Sequence, residues 1–455
     1  MPYTETPKWS MYKRIASLSL IVLLAVGIGA CDLLEVQNPN TLEEQRLNVP
    51  SAAAPMTDGL QSTVTRALGY IYAPYSASTD ELIWVGTRDA WLNLSRGFIG
   101  NPNNEFSDVA FTYVAEAEWT AREFVGRLEG FQEEGTLPNE QLLARAYLYG
   151  AIIKTTVGDM FSNWAFSDKR EAGTPIGEQN MTRLYDKALD WVNKGLQLDS
   201  NYRTELQAMK ARILFSRSVW SKVHPADDVN TSSPLVSNQA AADAARAALN
   251  MMEGDNFIYA LPVSSDGDFE SDVAFQINQR NELAPDSTVY VESQSSDGKK
   301  VAEVTFEDPV DEVVHPYLQD VITTKYSGNG TQFQDIRIVS AREMHLIIAE
   351  VALANGDTGP GSTFRTQINR LRALDGLSPY DGPANEGVSR MRLLEDSRQA
   401  NLYLQGRRLT DMYRFGEISP GANQGWIPES DARQNPGTFF PLTNTEIRSN
   451  PNVDG

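Results

Sequence analysis

The chain has 455 residues, 41% of them hydrophobic, which is enough for one large domain or for two to three ordinary ones. Its 60 acidic and 39 basic side chains give a formal net charge of −21. This balance argues against nucleic acid and against docking on anionic lipid through a basic face. A surface this acidic repels polyanions and tolerates neutral ligands such as sugars.

The N-terminus has the pattern of a secretory signal that ends at a lipid-attachment cysteine. Two basic residues precede an apolar run from Ile15 to Ile28, and two small residues then lead to Cys31, the single cysteine. We predict that residues 1–30 form a lipoprotein signal peptide and that acyl chains on Cys31 anchor the remaining chain, residues 31–455, to the membrane. The alternative is a transmembrane anchor, but the run is shorter than the roughly 20 apolar residues that a spanning helix needs. The sequence fits a translation start at Met1 or at Met11.

The first half of the chain is predicted to be mostly helical. A polar tether leads into a helix near Ala52–Leu68. Residues 70–108 are rich in Tyr, Trp, Gly and Asn and have weak periodicity, which predicts a loop region. From about 110 to 255, apolar residues recur at three- and four-residue spacings, which predicts amphipathic helices. Their pairing is typical of tetratricopeptide-like hairpins, although a loop at 158–180 interrupts the period.

The second half mixes short strands with helices. Residues 256–335 contain the β-rich runs NFIYALPV, STVYVESQ and VAEVTF, separated by Gly, Ser and Asp. Within residues 336–455, helices are predicted at 339–355, 363–375 and 388–415, followed by an extended tail that packs on the body through Phe439 and Phe440. The predicted fold is therefore mainly α, with tetratricopeptide-like helix pairs, an irregular loop-rich ligand face and a few short strands.

No catalytic pattern stands out in the sequence. None of the three histidines lies in an HExxH motif, and there is no GxSxG, P-loop or GxGxxG motif. We interpret His345, inside a predicted helix, as a structural imidazole. The run SSDGDFESD (264–272) has alternating carboxylates but lacks the glycine that an EF-hand loop requires, so we interpret it as a solvated acidic loop. We expect no enzymatic activity, no cofactor and no metal site.

The loops rich in aromatic residues are the most informative functional feature. Sugars stack their apolar faces on aromatic rings while polar side chains bond their hydroxyl groups. Loop 70–108, together with loop 158–180, supplies both kinds of side chain, and the alternative is that the aromatic rings fill the core beneath the loops. The ligand-binding candidates are Tyr72, Tyr75, Trp84, Arg88, Asp89, Trp91, Asn93, Asn163 and Trp164.

Five segments in order resemble the motifs of the SusD/RagB family. They are ARAYLYGAIIKTTVGDM, IRIVSAREMHLIIAEVALANGD, FRTQINRLRALDGL, LLEDSRQANLYLQGRRLTDMYRFG and FFPLTNTEIRSNPNV, and they extend over most of the chain after Cys31. Gly29, the second residue before Cys31, departs from the usual lipobox pattern, and so do the acid positions of the fourth motif and the end of the first motif (Val157–Phe161).

The resemblance implies a non-catalytic outer-membrane lipoprotein at the cell surface. Members of this family act as lids on a SusC-type TonB-dependent transporter and capture nutrients, which are typically glycans and sometimes peptides. The partners implied are therefore that transporter, a glycan or other nutrient, and the membrane through the N-terminal lipid. Two alternatives are a secreted helical glycoside hydrolase and a helical-repeat scaffold that binds only protein.

The segment QGRRLTDMYRFG (405–416) concentrates three arginines in an otherwise acidic chain. On a helix, Asp411 is within reach of Arg407, Arg408 and Arg414. Glu343 or Glu350 of the helix predicted at 339–355 are further candidate partners for a guanidinium. We predict that the cluster fixes the last helix against that helix and lies away from the ligand.

Overall fold

The structure is a computed structural model that describes residues 44–168, 171–226, 228–267, 269–286, 290–294, 300–328, 330–417 and 425–453. It divides into two compact units, residues 1–52 and 53–455. The described part of the first unit holds a short helix, α1 (Glu44–Leu47), and a 3₁₀ turn at Pro50–Ala52. The predicted signal peptide and Cys31 lie outside the described residues.

The second unit is built mainly from helices, which confirms the predicted fold class. The helices of its first part are α2 (Ala53–Ala77), α3 (Asp89–Ser95), α4 (Glu105–Glu133), α5 (Glu140–Met160), α6 (Thr182–Gly195), α7 (Arg203–Val223) and α8 (Gln239–Leu249). Consecutive members from α4 to α8 pack against one another, and α2 packs on α4. No described helix is both long and apolar enough to cross a membrane.

Asparagine caps fix the starts of several of these helices. The Asn104 side chain accepts hydrogen bonds from the N–H groups of Phe106 and Ser107 at the start of α4. Asn139 caps α5 in the same way. Such caps satisfy backbone donors that have no partner within the helix, and each contributes about 1 kcal/mol. The boundaries of α4 and α5 are therefore encoded locally.

The described residues form three two-stranded antiparallel sheets, two of which join distant parts of the chain. Their strands are β1 (Leu82–Trp84) with β3 (Leu283–Pro285), β2 (Ile258–Leu261) with β6 (Ile336–Ser340), and β4 (Tyr290–Gln294) with β5 (Lys300–Val304). Strands β2, β4 and β5 fall in the three predicted β-rich runs. Strands β1, β3 and β6 were not predicted, and the three residues of β1 and of β3 are too few to show an alternating pattern.

The remaining helices follow the strands. They are α9 (Asp272–Phe275), which continues into a π-helical turn at Gln276–Arg280, and α10 (Pro316–Lys325), α11 (Ala341–Ala354), α12 (Thr363–Leu374), α13 (Pro383–Glu386), α14 (Arg390–Asn401), α15 (Arg408–Phe415), α16 (Asp431–Gln434) and α17 (Asn444–Ser449). The single helix predicted at 388–415 is wrong. It is split into α14 and α15, because Leu404 and Gly406 both have positive φ angles between them. The tail does bury Phe439 and Phe440, as predicted, although it includes α17.

The prediction of a loop over 70–108 is also wrong in part. Helix α2 continues to Ala77 through Pro74, and α3 occupies the middle of the segment. Small and aromatic residues alternate in the last turns of α2 and are buried on every side, so no apolar stripe marks the helix.

The arginine cluster is a buried clamp, as predicted. Arg414 is fully buried, and its Nη2 lies 3.0 Å from a carboxylate oxygen of Glu350 in α11. Arg407 Nε donates to Glu343 at 3.2 Å. Asp411 pairs with Arg414 and with Arg398 rather than with its other two neighbours in the cluster. The cluster therefore ties α14 and α15 to α11.

One clamp partner was not anticipated. Arg408 Nε and Nη2 each donate to a carboxylate oxygen of Asp80 at 2.7 Å. Asp80 follows α2 in the segment that was predicted to hold the ligand, but its bidentate pair fixes the end of α2 to α15.

Candidate functional site

Four of the predicted ligand residues lie in the core. Tyr72, Tyr75, Trp91 and Trp164 are exposed by 4% or less. The two tyrosines lie in the last turns of α2, and Trp164 packs against Phe111 and Phe161. These rings support the loops from beneath, which is the alternative considered from the sequence, and none of them presents a face to a ligand.

The five polar or half-buried candidates are scattered. Asn163 is structural, because its Oδ1 accepts from the N–H groups of Trp164 and Gly177 at 2.8 Å and so closes the 163–177 loop. Trp84 is half-buried in β1, where its backbone N–H donates to the hydroxyl group of Ser95. Asn93 is half-buried in α3, and Asp89 is exposed at the start of that helix. Only Arg88 among the nine candidates lines a sizeable cleft.

That cleft has a volume of about 250 Å³ and lies between α2, the start of α4 and the segment that contains α9. Its walls combine aromatic rings with charged and amide side chains. The lining residues are Tyr70, Arg88, Glu105, Phe106, Val109, Glu270, Asp272, Phe275 and Gln276.

The aromatic rings of the cleft differ in how much of each face is free. Phe106 stacks on Trp91 with ring centroids 3.7 Å apart, and the Arg88 guanidinium lies 4.8 Å from its centroid. Tyr70 stacks on Tyr113 at 4.4 Å. Phe275 is half-buried and makes no ring contact within the described part of the chain. Phe275 and the second face of Tyr70 therefore offer flat apolar surface to a ligand.

The backbone of Arg88 is held in place by a turn that Gly86 makes possible. The carboxylate of Glu282 accepts from the N–H groups of Thr87 and Arg88 at 2.9 and 3.0 Å. Burial alone would raise the pKa of Glu282, but these hydrogen bonds outweigh burial and lower it. A Cβ atom on Gly86 would lie 2.2 Å from that carboxylate, so the approach requires glycine.

The charged groups of the cleft are partly paired. Arg88 Nη2 lies 2.8 Å from a carboxylate oxygen of Glu105 at the start of α4. Asp272 is 9% exposed, and burial raises its pKa to about 7. Burial, together with nearby Tyr113 and Asp272, raises the pKa of Tyr70 to about 12, so this phenol stays neutral and can donate a hydrogen bond.

Several lining residues were missed from the sequence. The acidic run 264–272 was interpreted as a solvated loop, which is wrong for Asp272 because the side chain is buried at the start of α9. Phe106 and Val109 carried no special signal inside a long amphipathic helix. Their place in the cleft depends on the long-range packing of α2 against both α4 and α9, which no local pattern reveals.

Solved structures with a similar fold cover nearly the whole chain. A SusD superfamily protein from Bacteroides vulgatus ATCC 8482 superposes with a TM-score of 0.62 at 13% identity, over 89% of this chain and 99% of that one. The chain has the SusD fold. A SusD-like carbohydrate binding protein from the same strain matches with a TM-score of 0.59 at 10% identity, over 89% of this chain and 97% of that one.

A laminarin binding SusD-like protein also shares the fold, with a TM-score of 0.56 at 13% identity over 89% of this chain and 99% of that one. No protein-family model and no curated protein matches the sequence. The five motif-like segments thus accompany a fold shared at 10–13% identity.

The chemistry available in this SusD-fold cleft is that of binding. Flat apolar rings, an amide, a neutral phenol and an anchored guanidinium can hold a polar ligand that has an apolar face. Within the described residues, no three His, Cys, Asp or Glu side chains are grouped so as to hold a metal ion.

Proposed function

We propose that this protein is a non-catalytic nutrient-binding lipoprotein of the outer-membrane surface. It captures an oligosaccharide in the cleft between α2, α4 and α9 and passes it to a SusC-type TonB-dependent transporter, on which it acts as a lid. Lipid on Cys31 anchors it to the membrane.

The observation that carries the proposal is the free aromatic surface beside polar groups in one cleft. Phe275 offers an unoccupied ring face, and Gln276, Arg88 and Tyr70 offer donors and acceptors around it. This is the arrangement that sugars need, with stacking on one side and hydrogen bonds at the rim. Two proteins that share the fold are described as carbohydrate binding and laminarin binding, which supports the same class of ligand.

A glycan panel tests the binding part of the proposal. Purified protein without its signal peptide is titrated with soluble oligosaccharides of different linkage and charge. We expect at least one to bind, and Phe275→Ala to weaken it about tenfold, equivalent to about 1.4 kcal/mol. Phe124→Ala is the matched control, because Phe124 is also half-buried but does not line the cleft.

Two outcomes would contradict the proposal. Release of shorter sugars during the titration, lost in a carboxylate variant of the cleft, would favour the glycoside hydrolase instead. Retention of no glycan by the wild-type protein would favour a scaffold that binds only protein. Affinity purification from detergent-solubilised outer membranes tests the partner, and we expect a TonB-dependent transporter to be retained.

A further inference from the structure

The charges that line the cleft do not balance. Arg88 is the one cationic side chain among its lining residues, and Glu105 already neutralises it at 2.8 Å. Glu270 and Asp272 remain, and neither forms an ion pair with a lysine or arginine in the described part of the chain. Glu270 therefore leaves negative charge unbalanced where a ligand would lie, and Asp272, whose pKa burial raises to about 7, adds to it in its ionised form.

Asp272 is the more constrained of the two carboxylates. It is nine-tenths buried, and its Oδ1 accepts from Gln276 Nε2 at 2.8 Å. Its second oxygen has no hydrogen-bond partner among the described residues, although the residue lines the cleft. A buried carboxylate without a cation is costly, so a positive group on the ligand would relieve that cost.

The aromatic rings beside these carboxylates favour the same kind of group. Tyr70 and Phe275 line the cleft together with Glu270 and Asp272. An ammonium group is attracted to the face of an aromatic ring and forms charge-assisted hydrogen bonds to carboxylates. A metal ion fits less well, because the described residues contain no group of three or more ligating side chains.

We infer that the cleft selects oligosaccharides that carry free amino groups, such as glucosamine oligomers, over their neutral and anionic counterparts. The inference rests on the proposed function, since a sugar ring supplies the apolar face that stacks on Phe275. The same two carboxylates repel uronic acids and sulfated sugars.

The test compares sugars that differ only in charge. A glucosamine tetramer, its fully N-acetylated counterpart and a galacturonic acid tetramer are titrated into the protein near neutral pH. We expect the glucosamine tetramer to bind at least about tenfold more tightly than the N-acetylated one, and the uronic acid tetramer not to bind. Added salt should reduce this preference, because it screens charge.

Variants assign the preference to the two carboxylates. Glu270→Gln should weaken binding of the glucosamine tetramer about tenfold and leave the N-acetylated tetramer within about twofold. Asp272→Asn should act in the same direction, and it retains the acceptor for Gln276. Glu270 is only half-buried, so its variant keeps the test valid if Asp272→Asn does not fold.

Failure of this inference is distinguishable from failure of the proposed function. Equal binding of all three tetramers, or tighter binding of the N-acetylated one, with loss in Phe275→Ala, overturns the amine preference and leaves glycan binding intact. Absence of binding by any sugar overturns both. Binding of a lysine-containing peptide through Glu270, without binding of glucosamine oligomers, overturns the inference in favour of a peptide ligand.

Discussion

Each buried arginine of the clamp contributes more to the stability of the fold than a surface arginine does. Arg407 compensates the buried Glu343, and its Nη1 donates to the carbonyl groups of Gln405 and Gly406 at 2.8 and 3.0 Å. Those carbonyl groups belong to the turn between α14 and α15. Loss of the guanidinium therefore removes both a charge partner and the bonds that close the turn.

Arg407→Ala is expected to lower the free energy of unfolding by roughly 3–5 kcal/mol, because it leaves a buried carboxylate uncompensated. Urea unfolding measures the loss, and ligand affinity should be unchanged in the protein that remains folded. Arg217→Ala is the control, since the Arg217–Asp186 pair is exposed and should contribute at most about 1 kcal/mol. Weaker ligand binding with stability unchanged would contradict the assignment of Arg407 to the clamp.

The buried environment of Glu81 predicts how the stability of the protein depends on pH. It is 2% exposed and accepts from the N–H of Leu404 at 2.7 Å. Burial raises its pKa from 4.5 to about 7. Between these two values the unfolded chain has already lost the proton that the folded protein retains, so the contribution of Glu81 to stability falls as pH rises and is constant above about pH 7.

Glu81→Gln removes this titration and retains an acceptor for Leu404. Relative to wild type, the variant should gain roughly 2–3 kcal/mol of stability as the pH rises from the unfolded-state pKa to above the folded-state pKa. Urea unfolding of both proteins at acidic and mildly alkaline pH measures the change, and all other titrating groups cancel in the difference. A difference that is independent of pH would show that Glu81 is not protonated in the fold.

At the scale of elements, glycines decide how closely neighbouring helices approach. A Cβ atom on Gly150 of α5 would lie 2.7 Å from the buried Trp191 ring of α6. A Cβ atom on Gly126 of α4 would meet nothing within 4 Å. Both glycines lie in the interior of a helix, but only Gly150 is in close contact with a side chain of a neighbouring helix.

Gly150→Ala should therefore destabilise the protein by roughly 1–3 kcal/mol, because the extra methyl group overpacks the α5–α6 contact. Gly126→Ala should stabilise it by about 0.5–1 kcal/mol, because alanine is the better helix former and has open space. Thermal unfolding of the pair measures both effects. Equal shifts in the same direction would show that the close approach of α5 and α6 does not depend on Gly150.

The sequence predicted elements better where their periodicity is regular. Helices α5 to α8 and α11 have apolar residues at helical spacing, and their positions were anticipated. The end of α2 was not, because it is buried all round and contains Pro74. The break at Leu404 was also missed, since a left-handed leucine is rare and is stabilised here by tertiary contacts.

The candidate site was less predictable than the fold because it depends on tertiary contacts that no local sequence pattern shows. Arg88 was identified because it lies among aromatic residues in the segment 70–108. Phe275 and Asp272 reach the same cleft through the packing of α9 on α2, about two hundred residues earlier in the chain. A loop that looks solvated in sequence thus forms one wall of the cleft.

At the scale of the whole molecule, the prediction of lipid attachment at Cys31 concerns where the protein resides. Cys31→Ser removes the thiol to which lipid would be attached. We expect the variant to lose incorporation of labelled fatty acid and to leave the membrane fraction, with glycan binding unchanged. A variant that still fractionates with membranes and incorporates no lipid would point to a different anchor.

The tail packs against helices that are synthesised long before it. Phe440 forms a β-bridge with Phe161, and its carbonyl accepts from the N–H of Ser162, 278 residues earlier. Phe439 packs beside Trp220 of α7. A chain that emerges from the ribosome therefore cannot complete this packing until its last residues are made. The predicted signal peptide would direct the chain across a membrane, and delayed completion would let export begin before the native packing is within reach.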